Sequence, residues 1–408
     1  MKISGKTKLL LFLALVFALF CASFLFGEAA REHFVNEGET LEKPIGSAWA
    51  VGADGAAQVH GGGLYALTGS GLVKVDAQDY AGSGGLRTDQ TSVVLISNRI
   101  RIGLNYCFSA QRDNSVPYAV INNPGGGGFT FGIVDERREF MPAFGVSSGA
   151  LGTTLNSVIV RPLGGGSVGI YDETGARLLH SLSVTGKETY LALRPEAGED
   201  GGEPLIVYNG RRYPGEFGFS DLGNGRLTVM NLVEIETYTA GVVAVEMGSA
   251  FPLEALKAQA VAARSYAMYH MIHRSLYDTT CGFDLTNDEY SQAYLGLSRD
   301  SKILSAVQAT RNEYLTYKGT VVNALYSAAD GGETLNSEDA GMEAIPYLRG
   351  VEDPYEGFVW DKGLHGHKVG MSQWGANAMA EYFDMDYKEI LGFYYTDVEL
   401  STGKYYGN

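Results

Sequence analysis

Residues 226–274 read RLTVMNLVEIETYTAGVVAVEMGSAFPLEALKAQAVAARSYAMYHMIHR, and this stretch decides the fold. Its first eight residues are short, apolar and partly β-branched, the composition of a strand. EIETYTAGVVA continues as a short helical stretch, and Glu246 falls in the break that follows. Past Gly248-Ser249-Ala250, Pro252 suits the first turn of a helix, where its missing N–H is harmless, with Ser249 or Ala250 near the cap. The helix predicted from Pro252 to about His273 carries Leu256, Ala260, Ala263, Ala267 and Met271 on one stripe. Its many alanines let neighbouring elements approach closely, which makes it a central, buried helix of an α+β domain. On such a helix Glu254, Lys257, Gln259 and Arg264 either make specific contacts at the edge of the core or face solvent.

Upstream the text is strand-like. SVVLISNRIRIGL (92–104) ends in the alternation Ile100, Ile102, Leu104. FTFGIVD (129–135), SVIVRPL (157–163), GSVGIYD (166–172), ETYLALR (188–194) and PLIVYNG (204–210) follow, separated by Gly, Asp and Asn turn signals at hairpin spacing. The organisation predicted is therefore a spacer over 31–91, a β-rich accessory domain over 92–212 and a mixed α/β domain over 213–408. His60 and His180 stand alone and read as structural histidines.

The chain's 408 residues favour more than one compact unit. With 31 Lys and Arg against 47 Asp and Glu, the formal charge of −16 repels phosphate and argues against nucleic acid as a partner. The 54 Gly and 25 Tyr suit tight turns and an aromatic-lined surface of the kind that grips glycans. Cys107 and Cys281 can pair but have no metal or redox spacing.

Lys2, Lys6 and Lys8 precede the uncharged apolar run Leu9 to Gly27, a positive n-region and an h-region. The run exceeds the usual h-region and just reaches the ~20 residues that span a bilayer, so residues 1–30 read as either a signal peptide or a membrane anchor. In both cases the rest of the chain is extracytoplasmic, secreted or tethered to the membrane through this segment.

VEMGSAFPLEALKAQAVAARSYA (245–267) resembles the signature of the stage II sporulation protein D and LytB amidase-enhancer (SpoIID/LytB) family. Three further blocks match that family in order. They are SQAYLG (291–296), YSAADGGET (326–334) with PYL (346–348) after it, and GHKVGMSQWGA (366–376). The family includes lytic transglycosylases acting on peptidoglycan, and the resemblance implies that Glu246, of the Glu-Met pair, is the catalytic acid. One carboxyl suffices for that chemistry: it protonates the leaving oxygen and then serves as base, because the sugar's own 6-hydroxyl replaces water. Burial beside Val245 and Met247 would raise its pKa toward neutrality. By spacing alone, Glu246 reads instead as a helix-terminal or ion-paired structural residue, and it is the resemblance that reverses this.

The resemblance also implies a substrate groove walled by Lys257, Gln259, Arg264, Gln292, Tyr326, Ser327, Gly331, Gly332, His367, Ser372, Gln373 and Trp374. The glycine turns would admit close backbone approach, and the polar and aromatic groups suit sugar rings. Neither glycine stretch has the spacing of a phosphate-binding P-loop. The implied partners are peptidoglycan glycan strands and, on the amidase-enhancer side of the family, a cell-wall amidase; no cofactor is implied. Some family members bind zinc through Cys and His in the segment before Ser-Gln, but here residues 282–290 read GFDLTNDEY, so no metal is expected. Val351 to His365 is shorter than the family's usual stretch, and Lys368 stands where the family generally has Gly.

Overall fold

The computed structural model describes residues 97–403 apart from 136, 148–154, 184–188, 274 and 361–363, together with the backbone of strands Tyr65–Thr68, Gly71–Lys74 and Thr88–Asp89. All belong to one compact unit, Lys43–Asn408. The apolar run Leu9 to Gly27, His60 and most of the predicted spacer lie outside the described residues. Among the described residues, no helix is long and apolar enough to cross a membrane.

The architecture is α+β, as the sequence predicts. A seven-stranded sheet runs in the order Leu285–Thr286, Arg99–Asn105, Leu227–Glu234, Glu216–Asp221, Tyr190–Ala197, Gly126–Val134, Phe140–Ser147. All pairs are antiparallel except the first. Strand Leu227–Glu234, from the segment predicted as the mixed α/β domain, is thus hydrogen-bonded on one side to Arg99–Asn105 of the β-rich segment and on the other to Glu216–Asp221 of its own segment. A six-stranded antiparallel sheet (Leu178–Ser183, Ser167–Tyr171, Ser157–Gly164, Ala119–Asn122, Ile206–Tyr208, Arg211–Tyr213) faces it.

The period of two along strand Tyr190–Ala197 sets which side chains meet. Leu191 and Leu193 join Val158, Val160, Ile170 and Phe217 in the main core, while Tyr190 and Ala192 turn to a second cluster with Met230, Leu232 and Phe283. His180 is half-buried and stacks on Phe131, with burial pulling its pKa down.

Helix α1 spans Ile235–Glu246 and α2 spans Leu253–His273. The start of α2 follows from Pro252, whose carbonyl accepts the N–H of Leu256 at 3.0 Å. The stripe predicted for α2 understates its environment. From Ala255 to Met268 every residue but Lys257 is buried, so the helix is packed on all sides rather than along one face. Among the described residues the remaining α-helices are α3 (Leu276–Cys281), α4 (Ser301–Ala309), α5 (Gln373–Tyr382) and α6 (Tyr387–Tyr394). Each has a side-chain cap: Ser275, Asp300, Ser372 and Asp386, the last within a capping box with Glu389. A four-stranded sheet (Thr320–Val321, Glu313–Tyr317, Glu399–Thr402, Thr88–Asp89) covers α2, and its last strand comes from the segment predicted as spacer.

Candidate functional site

Glu246 is the last residue of α1 and is fully buried; the helix runs through it instead of breaking before it. Its Oε1 accepts the backbone N–H of Ala293 at 2.8 Å, and its Oε2 accepts Nε2 of Gln373 at 3.4 Å. The phenols of Tyr238 and Tyr266 are raised by burial first, with the Glu246 charge among the further causes. Tyr238 also donates to Oε1 of Gln292 at 3.2 Å, and the Gln292 amide donates to the Tyr326 hydroxyl at 2.9 Å.

These bonds join the four sequence blocks in a ring. The first block supplies Glu246 and the second Ala293 and Gln292. Tyr326–Ser327 of the third pairs in parallel with Met371–Ser372 of the fourth. Ser372 accepts the N–H of Gly375 as the cap of α5, which sets the next residue, Gln373, against Glu246. Gln373 is also 3.5 Å from Oε1 of Gln259 on α2, whose own Nε2 is buried without a hydrogen-bond partner. Trp374 stacks on Trp360 at 5.3 Å and packs against Phe251 at 5.0 Å. Gly366 lies against the Ser327 side chain, and His367 is buried with Nδ1 accepting the N–H of Val369.

Lys257 and Arg264 point elsewhere. Lys257 pairs with Glu254 at 2.5 Å beside the ring of Tyr387 on α6. Arg264 is fully buried and grips Glu236 of α1 through a fork, Nε to Oε1 at 3.0 Å and Nη2 to Oε2 at 2.7 Å, while Nη1 caps the Glu313 carbonyl. It fastens α1, α2 and a strand of the four-stranded sheet together.

In the segment where the sequence reading looked for zinc ligands, Asp284 instead takes Arg101 and Arg138. Burial pushes the Asp284 carboxyl up, but the two guanidinium groups outweigh it and hold the carboxyl well below the usual range. Cys107 and Cys281 are unbridged thiols; Cys281 Sγ lies 3.6 Å from the Cys107 carbonyl oxygen.

A second cluster escaped the sequence reading. Asp330, Asp353 and Glu356 are all buried, with one carboxylate oxygen of each within 4.8 Å of the others. Glu356 accepts the backbone N–H groups of Asp330 and Gly331 at 2.7 and 2.8 Å and the Ser372 hydroxyl at 2.6 Å. Asp353 accepts the N–H groups of Tyr355 and Glu356 on one oxygen and the Tyr394 hydroxyl, at 2.5 Å, on the other. Gly331 and Gly332 have φ of 76° and 99°, the left-handed conformation that favours glycine and turns their N–H groups inward. Gly375 leaves room for Tyr394 and Asp353, whose oxygens a Cβ there would strike. Burial, then Asp353 and Glu356, push the Asp330 carboxyl up to about 9. Isolated loop carboxylates carry no periodicity, so the only sequence signal was the spacing of Asp353 and Glu356 across Pro354, beside the glycines after Asp330.

Two surface clefts are lined by residues of this domain. One, of about 490 Å³, is lined by Gly332, Glu333, Glu352, Pro354 and Phe393. The other, of about 920 Å³, lies over α1 and α4 and includes Glu236, Arg299 and Arg311. Glu246 lines neither.

The stage II sporulation protein (SpoIID) family matches residues 223–317, which span α1, α2 and the Ala293 loop. An uncharacterized protein of Brachyspira hyodysenteriae is 31% identical over 48% of this chain and 74% of its own length. Stage II sporulation protein D of Bacillus subtilis is 34% identical over 32% of this chain and 40% of its own. The protein named amidase enhancer in the same organism is 34% identical over 29% of this chain and 16% of its own. The chain thus spans well under half the length of both named Bacillus relatives. The family match falls on the segment that carries Glu246 and its Ala293 partner, and the chain belongs to the SpoIID/LytB family.

Proposed function

We propose that this protein is an extracytoplasmic, peptidoglycan-acting lytic transglycosylase that uses Glu246 as its acid and base, in cell-wall remodelling linked to sporulation. The observation that carries the reading is the seating of Glu246: a buried carboxyl held by a backbone N–H and a side-chain amide where four sequence blocks converge. The Ala293 N–H and the Gln373 amide are neutral donors that orient the carboxyl. In the reaction the Glu246 carboxyl protonates the glycosidic oxygen and the C1–O bond breaks. The sugar's 6-hydroxyl then bonds to C1, and its proton passes to the Glu246 carboxylate. The acid is regenerated and no water is consumed. The wall setting is supported by the names of the Bacillus relatives, and the outward orientation by Lys2, Lys6 and Lys8 ahead of the apolar run.

One observation favours a second reading, a non-catalytic wall-binding activator of an N-acetylmuramoyl-L-alanine amidase. Glu246 has 0% exposure, so a glycan reaches it only after the groups that cover it move aside. Incubating purified sacculi with the full chain, alone and with a cell-wall amidase, separates the two. Muropeptides released by the chain alone support the enzyme. Release only with the amidase, faster than by the amidase alone, establishes the activator.

A further inference from the structure

We propose that Asp330, Asp353 and Glu356 form a binding site for a hard divalent cation of the calcium–magnesium class. Three carboxylates present oxygens within 4.8 Å of one another in the interior, and among the described residues no Lys or Arg forms an ion pair with any of them. The crowding of like charge calls for a compensating cation. The hydrogen bonds described above serve Asp353, Glu356 and Oδ1 of Asp330, which accepts the Gly332 N–H at 2.8 Å. Oδ2 of Asp330 is buried and receives no donor from the described residues. A fully buried carboxylate oxygen left without a donor, inside a cluster of acceptors, is what a cation ligand looks like before the cation arrives.

The donor set selects the ion. All three ligands are carboxylate oxygens, without thiolate or imidazole, which favours calcium, magnesium or manganese over zinc or copper. The sequence reading expected no metal because it searched for Cys and His. Three protein oxygens leave the rest of a six- to eight-fold shell to water or backbone carbonyls. The 490 Å³ cleft supplies a route: its lining residues Gly332, Glu352 and Pro354 adjoin Asp330 and Asp353 in sequence, and Glu333 and Glu352 make its mouth acidic.

The site bears on Glu246 through two bonds. Glu356 holds the Ser372 hydroxyl, and Ser372 caps the helix whose first residue, Gln373, meets Glu246. Occupancy by a cation fixes Glu356 and with it this corner. The site itself is read from binding alone and stands whether or not the chain cleaves glycan.

The test is calorimetric titration of the chelator-treated full chain, in detergent micelles, with calcium chloride and with magnesium chloride, alongside thermal melts at each concentration. One equivalent of one of these ions should bind and raise Tm. Asp330→Asn, which keeps the side chain's size, should fold and lose at least the roughly 10–100-fold in affinity that follows when a group merely supporting a ligand is removed. Asp200→Asn, at an exposed turn, should bind as the parent does. A chain of net charge −16 attracts cations diffusely, so equal binding by the parent and Asp330→Asn would overturn the proposal. Absence of any heat or Tm shift up to about tenfold above extracellular millimolar levels would also overturn it, leaving a cluster that shares a proton.

Discussion

Ala293 donates its backbone N–H to Oε1 of Glu246 at 2.8 Å across 47 positions of sequence, joining the end of α1 to a loop with no regular secondary structure. The carboxyl's orientation therefore depends on a main-chain donor, which at 293 only proline would remove. On the other oxygen the donor is a side chain, and it can be removed. Gln373→Met keeps the volume and deletes the amide, so glycan cleavage by the full chain should fall about ten- to a hundredfold, the kinetic equivalent of a hydrogen bond to a charged group worth ~1.5–3 kcal/mol. The fold should survive. Rate measurement on sacculi checks this, and an unchanged rate removes Gln373 from the site.

Arg264 and Glu236 form a buried ion pair that links three elements. Arg264→Met leaves the Glu236 carboxylate facing the interior without its fork and should cost about 3–5 kcal/mol in denaturant unfolding. Arg264→Lys should recover only part of this, because an ammonium cannot make the two parallel bonds.

His270 is half-buried beside Tyr266 and Tyr269, and its buried Nε2 has no hydrogen-bond partner among the described residues. Burial first, then His273, pull its pKa from 6.5 down to about 3. Its folded pKa lies below the unfolded one, so its contribution to stability is present above pH 6.5 and is lost as pH falls toward 3. In that window the unfolded chain takes up one proton more at this site, a slope of up to ~1.4 kcal/mol per pH unit. Unfolding series between pH 6.5 and 4 should show a shallower acid slope for His270→Phe than for the parent.

Lys368 occupies φ = 62°, in the left-handed region, at the position where the sequence comparison with the family expects glycine. Its ammonium pairs with the exposed Glu333 at 3.2 Å, an interaction worth little in water. Lys368→Gly relieves the backbone and should raise stability by about 0.5–1 kcal/mol, read as a higher midpoint in urea with unchanged slope.

Much of the fold was legible because its signals are local. Pro252 and the alanines announce α2, and the alternation of Ile100, Ile102 and Leu104 announces a strand that the structure places at Arg99–Asn105. Strand Glu216–Asp221 was not legible: its EFGFSD carries two phenylalanines and a glycine and lies next to turn residues, so only its pairing with Leu227–Glu234 and Tyr190–Ala197 reveals it. In the candidate site, the family resemblance rather than any local pattern pointed to Glu246, Gln259, Gln292 and Gln373, which the fold brings together. The same cue was ambiguous for Lys257 and Arg264, whose partners, Glu254 with Tyr387 and Glu236, are set by helix packing. Ala293 acts through a main-chain donor that every non-proline residue has, and Asp330 meets Asp353 and Glu356 from a different stretch of chain. Neither leaves a trace in composition or period.

The most direct measurement is the analysis of glycan ends released from purified sacculi by the full chain and by its Glu246→Gln variant. The glutamine keeps the size and most of the hydrogen bonding of Glu246 while removing the transferable proton. The account predicts fragments ending in 1,6-anhydro sugars from the parent. From a variant with an unchanged unfolding midpoint, it predicts release at least roughly 10²–10⁴-fold slower. Equal release by parent and variant, or fragments with free reducing ends, would contradict it.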